Sequence, residues 1–305
     1  MTHPVTTAAF IPAAIGVLLT AEPRAKAAAA RALAADWRAG RLAAPTLAAP
    51  TTAAPTTATA TDTGAAALPL RPARPERPVL LPPSRMPKRG RGGSVASRVR
   101  LLHALAHIEF NAIDLAVDMA ARFGAEIDAD ETVCRRFVDD WVGIADDEAR
   151  HFGLVADRLE ALGAAYGDLP AHDGLWEAAM ATAYDMTGRL AVVPMVLEAR
   201  GLDVTPDMIR RLDEFGDTAS ADALRVIYRD EVGHVAAGLR WLTHVATARG
   251  TTARALFHDR VRRLFPGRVK PPFNADARAR AGMVPEDYEP LAEMRDQTAH
   301  PTPLA

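Results

Sequence analysis

Residues 146–155 read DDEARHFGLV, and residues 229–241 read RDEVGHVAAGLRW. Each run contains Asp-Glu-x-x-His: Asp147, Glu148 and His151 in the first, Asp230, Glu231 and His234 in the second. On a helix, positions three apart share a face, so each Glu and its His point the same way. Around the first run, Val133, Phe137, Trp141, Ile144, Val155, Leu159 and Leu162 recur at three- and four-residue steps, the mark of one buried stripe. Glu148 and His151 fill the gap in that stripe. Around the second run, Leu224, Ile227, Gly238, Trp241 and Val245 form a matching stripe, interrupted by Glu231 and His234.

Working outward, the pattern is helical from Ser94 to about Gly250. Turn signals divide it into four segments: 94–123 before Gly124, 130–162 before Gly163, 174–200 before Gly201, and 206–248 before Gly250, with a break expected near Gly216. The first segment carries Leu102, Leu105, Ala112, Ala116 and Met119 on one line, with Glu109 among them. The third carries Met180, Tyr184, Thr187, Ala191 and Pro194, with Glu198 next. Pro194 removes a helical hydrogen bond one turn before Glu198, so a kink or a bulge is expected there.

Four carboxylates and two imidazoles therefore face an apolar core. A bare buried carboxylate is expensive unless it is protonated, paired or bound to a metal. No lysine or arginine lies on these stripes, and divalent cations resolve the charge directly. One Glu from each of two helices, with Glu-x-x-His from each of the other two, is a donor set that holds two metal ions in helical bundles. With 14 Glu and 9 His in the chain, chance supplies about half a Glu-x-x-His match. The weight therefore rests on order: Glu109 lies 39 residues before Glu148, and Glu198 lies 33 before Glu231, a hairpin made twice. Glu109, Glu148, His151, Glu198, Glu231 and His234 are the expected metal ligands. A ligand histidine usually passes its other N–H to a carboxylate, so Asp147 and Asp230 are candidates to support each other's partner histidine; an exposed helical aspartate is the equal alternative.

The rest of the 305-residue chain divides into flanking regions. Residues 1–42 read as a helical extension, with Pro23 at a first helical position. The Ala/Thr/Pro tract at 43–69 has too little apolar surface to fold and reads as a flexible linker. Residues 70–93, with Arg71, Arg74, Arg77, Arg85, Lys88, Arg89 and Arg91, read as an extended, solvated basic strap. Residues 251–305 hold a short helix and a Pro-rich tail expected to wrap the bundle. The fold class is thus all-α: a four-helix bundle at 94–250 with an N-terminal helical extension and a wrapping C-terminal tail. The net charge of −2 gives no global attraction to nucleic acid or anionic membranes. No apolar run is long enough to span a membrane. The lone Cys134 excludes an intrachain disulfide and a cysteine-based zinc cluster, and fits a cytoplasmic location. His103 and His107 lie off the Glu109 line and read as surface or inter-helix residues. Tyr228, Trp141 and Trp241 read as packing.

These motifs are similar to the ligand helices of the ferritin-like superfamily. More narrowly, LLHALAHIEFNAIDLA (101–116), DDEARHFGLV (146–155), RDEVGHVAAGLRW (229–241) and FPGRVKPPFN (265–274) resemble the bacterial ferritin-like family named domain of unknown function 455. The resemblance covers about 8–40 and 70–290. It implies a ferritin-like bundle and a di-iron site at the six ligands, with no established reaction. Among characterised relatives, the ligand pattern is nearest to di-iron tRNA hydroxylases and larger bacterial hydroxylases and desaturases. Storage ferritins, whose second metal position typically lacks the second histidine, resemble it less, and the cysteine-bound iron module of rubrerythrins is missing. Gly233 stands where many relatives carry arginine. The expected function is an oxygen-activating oxidoreductase with two iron ions, manganese or a mixed iron–manganese pair being the alternative cofactor. Its expected partners are a small-molecule or tRNA substrate and an external electron donor, since the chain shows no flavin or nicotinamide motif. Metal handling, manganese catalase-like peroxide removal and tRNA hydroxylation are the alternative readings, and homo-oligomerisation is left open.

Overall fold

The structure is a computed structural model that describes residues 8–45, 68–86 and 93–293. It is an all-α bundle with a single two-residue parallel strand pair among the described residues, β1 (Ala8–Ala9) against β2 (Leu42–Ala43). Most of the 43–69 linker, and Lys88, Arg89 and Arg91 of the strap, lie outside the described residues. The helices are α1 (Phe10–Leu18), α2 (Pro23–Arg38), α3 (Val95–Phe123), α4 (Glu131–Ala161), α5 (Gly174–Ala181), α6 (Met186–Val192), α7 (Ala199–Glu214), α8 (Thr218–Ala248), α9 (Ala253–Leu264), α10 (Ala275–Arg280) and α11 (Pro285–Ala292). A π-helical segment, Val193–Glu198, joins α6 to α7. No described helix is long and apolar enough to cross a membrane. The chain forms two compact units, Met1–Arg74 with Ile113–Asp146, and Pro75–Ala112 with Asp147–Ala305.

In the first unit, α2 starts where Pro23 predicts. Glu22 caps it by accepting the Arg24 and Ala25 backbone N–H groups, which satisfies donors that a helix start leaves orphaned. The core includes Phe10 edge-on to Trp37, with ring centres 5.3 Å apart, and the Trp37 indole N–H donates to Asp139 at 2.6 Å. Lys26 is fully buried and donates to Asp114 at 2.6 Å and to the Ala73 carbonyl at 3.1 Å. Arg74 pairs with the other oxygen of Asp114. Arg74, expected in a solvated strap, is thus tied to a buried acid. Gly124 ends α3 as expected: a Cβ there would lie 2.4 Å from the Ala120 carbonyl and 2.8 Å from Val138.

The second unit departs from the expected third and fourth segments in two places. The third segment is not continuous. It breaks between α5 and α6, leaving Met180 40% and Tyr184 91% exposed instead of on a buried stripe. Asp185 caps α6 by accepting the Gly188 N–H at 2.9 Å. The buried Arg189 closes the end of α5 by donating to the Ala179 carbonyl at 2.6 Å and to Thr182 at 2.8 Å. Helix α7 then runs straight through Gly201 and Pro206 to Glu214. Proline has no N–H for the carbonyl four residues back, and that carbonyl, Leu202, instead accepts from Asn274 Nδ2 at 3.1 Å. The break falls at Gly216, where the sequence reading places one; its φ of 75° favours glycine.

The C-terminal region is more ordered than a wrapping Pro-rich tail. Arg278 of α10 is 2% exposed and forks onto Asp203 of α7 at 2.7 and 2.8 Å, stacked on Phe273 and Tyr288. Residues 79–81 of the strap bond the Ala171 backbone at 2.8 and 3.0 Å. Of the kink and the bulge that Pro194 allowed, the structure has the bulge, in the form of the π segment. Gly238 of α8 lies against it: a Cβ at 238 would sit 2.5 Å from Pro194 Cγ, so glycine is what lets the two elements approach.

Candidate metal centre

All six expected ligands lie in the second unit. Glu109 comes from α3, Glu148 and His151 from α4, Glu198 from the end of the π segment, and Glu231 and His234 from α8. Glu109, Glu148, His151 and His234 are almost fully buried and Glu231 is 9% exposed. One ligand atom from each of Glu109, Glu148, His151 and Glu231 falls within 4.8 Å of all the others. Glu148 sits between the histidines, with Oε1 3.0 Å from His234 Nδ1 and Oε2 3.4 Å from His151 Nδ1. His151 Nδ1 is also 3.5 Å from Glu109, and His234 Nδ1 is 3.6 Å from Glu231. The two imidazole centres are 5.8 Å apart. Glu198 is half-buried as a residue, but its Oε2 is enclosed, and Glu231 and Glu148 are its charged neighbours.

The aspartates stand in the crossed arrangement that was one of the two equal readings, although the Asp147 side chain is also 42% exposed. His151 Nε2 is 3.2 Å from Asp230, and His234 Nε2 is 3.5 Å from Asp147. Each imidazole thus turns Nε2 to the aspartate of the other motif and Nδ1 to the glutamates. The sequence reading missed Arg150, which lies inside the first motif. One of its nitrogens donates to Asp147 at 3.0 Å and to Asp230 at 2.6 Å, so one guanidinium ties the supports of both histidines together. The corresponding Gly233 faces open space, and Arg229 donates to Asp230 at 3.0 Å. Only the position of Arg150 in Asp-Glu-Ala-Arg-His hinted at this role.

The electrostatics are those of an acid-rich enclosure. Burial, then the neighbouring Glu148, pushes Glu109 and Glu231 up. Burial, then Glu231 and Glu148, pushes Glu198 up. Burial opposes charge on His151, but its contacts with Glu109 and Glu148 outweigh that and hold it up at about 11. Burial likewise opposes charge on Asp230, yet Arg150 and His151 bring it down to about 2.

The unpartnered atoms test whether a metal fits. Glu109 Oε2, Glu148 Oε1, Glu198 Oε2, Glu231 Oε2 and His234 Nδ1 are buried without a hydrogen-bond partner. His234 Nδ1 and Glu148 Oε1 are neighbours at 3.0 Å, yet they are not aligned for a hydrogen bond. Buried polar atoms are normally satisfied, and groups of orphans call for an unseen partner. Five of them, all metal-donor atoms, lie on the six predicted residues, so this cluster can hold a metal ion.

Other expected positions resolve differently. His103 and His107 are not on the surface: they are 2% and 5% exposed. His107 bonds Tyr166 at 2.9 Å and the His172 carbonyl at 3.0 Å. Trp141 and Trp241 are buried as expected. The Tyr228 hydroxyl accepts from Asn274 at 2.9 Å and Arg280 at 3.2 Å, fastening the C-terminal region. Cys134 donates to the Asp128 carbonyl.

A family model described as "Protein of unknown function (DUF455)" matches residues 19–289. A Haemophilus influenzae protein, named "Uncharacterized protein", is 41% identical over 222 residues, 73% of this chain and 77% of the relative. No solved structure matches. A model match over most of the chain, together with a relative this similar across more than two thirds of both proteins, makes the protein a member of the DUF455 family.

Proposed function

We propose that the chain is a ferritin-like di-iron carboxylate protein, an oxygen-activating oxidoreductase that acts on a small organic substrate. The observation that carries this reading is the set of five buried, unpartnered donor atoms on Glu109, Glu148, Glu198, Glu231 and His234. Mixed carboxylate and imidazole donors suit iron or manganese, not the metals that prefer thiolates. Glu148, with one oxygen toward each histidine, is the natural shared ligand. Glu109, Glu148, His151 and Glu231, whose ligand atoms lie within 4.8 Å of one another, would hold one ion, and Glu198 and His234 would complete the site for a second. When bound, the two ions supply Lewis acidity and the electrons to reduce dioxygen.

The protein's own part is positioning. Asp230 and Asp147 hold a proton at Nε2 of His151 and His234, which leaves each Nδ1 lone pair for a metal. The π segment offsets Glu198 from regular helical register, a feature often found at functional sites. A cavity of about 450 Å³ has Met195 of that segment and Leu239 of α8 in its wall, with Phe257, Thr243 and Arg254. Its size suits a small organic substrate. Electrons would come from a separate donor, and a reducing cytoplasm suits the chain's one thiol.

The test is metal analysis of protein purified anaerobically from its native host, beside Glu148→Ala. About two irons per chain, lost in the variant, is the expected result; no bound transition metal would end the proposal. Oxygen evolution from peroxide by manganese-loaded protein would instead assign the site to peroxide removal.

A further inference from the structure

A second pocket, of about 160 Å³, lies between α3, the strap and the segment after α4. Its wall is made by Pro83, Met86, Arg100, His103, Ala104, Leu169, Pro170 and His172. At about 100° per residue, Arg100, His103 and Ala104 project from roughly the opposite face of α3 to Glu109. The pocket is therefore distinct from the metal centre and does not depend on what that centre binds.

Two of its lining side chains, His103 and Arg100, offer N–H donors. His103 Nε2 accepts from the Gly167 N–H at 3.0 Å and the Leu169 N–H at 3.3 Å. A nitrogen that accepts two hydrogen bonds carries no proton, so the neutral ring bears its proton on Nδ1. Burial pulls the His103 pKa down, against a weaker pull from Asp168, in keeping with that neutral form. Asp168 itself is engaged by the Ala165 N–H at 2.7 Å. Arg100 Nε is buried without a hydrogen-bond partner among the described residues. Among the described residues the always-charged Arg100 guanidinium has no hydrogen bond or ion pair, so its outer N–H groups are available to an acceptor in the pocket it lines. No acidic side chain lines the pocket.

We propose that this pocket is an oxyanion site for a phosphate group, held by the Arg100 fork and His103 Nδ1–H. A bidentate guanidinium takes two oxygens and the imidazole N–H takes a third. A carboxylate has only two oxygens, so a tetrahedral anion fits the donor set better. The pocket has room for inorganic phosphate or for the phosphate end of a small monoester.

The test follows the His103 ring by side-chain ¹H–¹⁵N NMR while the protein is titrated with inorganic phosphate and, separately, with glycerol 3-phosphate. The free protein should show a proton on Nδ1, and at least one ligand should shift the ring resonances saturably. Arg100→Gln, which removes no described protein contact, should weaken binding about tenfold or more. Ala104→Leu, which keeps every charge but fills the pocket, should weaken it comparably. Tighter binding of the monoester assigns the site to a phosphorylated small molecule; tighter binding of phosphate assigns it to the free ion. No saturable shift with either ligand, or equal binding by both variants and wild type, would overturn the proposal.

Discussion

Two of the buried charged clusters among the described residues, one in each compact unit, are built on opposite principles. In the first unit, Lys26, Arg74 and Asp114 close on themselves: one acid meets two bases, and Lys26 also reaches two backbone carbonyls. In the second, four glutamates meet two histidines and leave five donor atoms without partners. A closed cluster needs nothing more and acts on stability. An open one is incomplete by construction and is suited to bind something. Burial alone does not tell a site from a strut; unmet valence does.

Breaking each cluster should therefore have opposite consequences for the metal-free protein. Lys26→Met leaves Asp114 buried with only Arg74, at a cost of about 3–5 kcal/mol, as for other buried pairs that lose a partner. Urea unfolding should show it as a lowered midpoint. Glu198→Gln removes an acid that burial and its acidic neighbours already hold well above the usual carboxylate range. A group whose pKa is raised by folding penalises the fold at pH 7, so its neutral isostere should leave the metal-free stability unchanged or higher. Its loss should appear instead as reduced metal content. Equal destabilisation by both substitutions would erase the distinction between strut and site.

The open cluster was legible in sequence because its chemistry is local. Glu-x-x-His needs only one helix turn, and the crossed aspartates follow from their place in the same motif. The π segment was announced by Pro194 one turn before Glu198. What stayed hidden depends on distant partners. Helix α7 continues past Pro206 because Asn274, far along the chain, takes the freed Leu202 carbonyl. The order of the C-terminal region rests on Arg278 finding Asp203. Lys26 gave no sign that it would be buried, since its acid lies 88 residues away. The break after α5 was readable in part: Asp185 three residues before Gly188 is a capping signal that the stripe through Tyr184 obscured.

Between these extremes stands the contact that sets the π segment. Gly238→Ala would place a methyl group 2.5 Å from Pro194, and overpacking of this kind costs about 1–3 kcal/mol. The first casualty should be Glu198, at the end of the segment. The expected outcome is a modest fall in melting temperature with a clear loss of metal from the half of the site that Glu198 serves. A fall in stability with full metal content would mean that the π segment is packing alone.

The effects on folding stability should be smallest at the outer supports, and their effects on metal affinity should be unequal. Loss of a group that orients a metal-bound histidine typically costs about 10–100-fold in metal affinity. Asp230 is the more enclosed of the two: its side chain is 15% exposed against 42% for Asp147, and it lies 3.2 Å from its histidine against 3.5 Å. Arg229 also donates to it at 3.0 Å. Solvent competes less for so enclosed a contact, so Asp230→Asn should fall near the hundredfold end and Asp147→Asn near the tenfold end, measured by competition with a chelator. Arg150→Gln, which touches both aspartates and neither histidine, should affect the two halves together and by less than Asp230→Asn. Equal effects of the two aspartates would mean that the sequence symmetry of the two motifs, and not their different burial, governs how firmly each histidine is held.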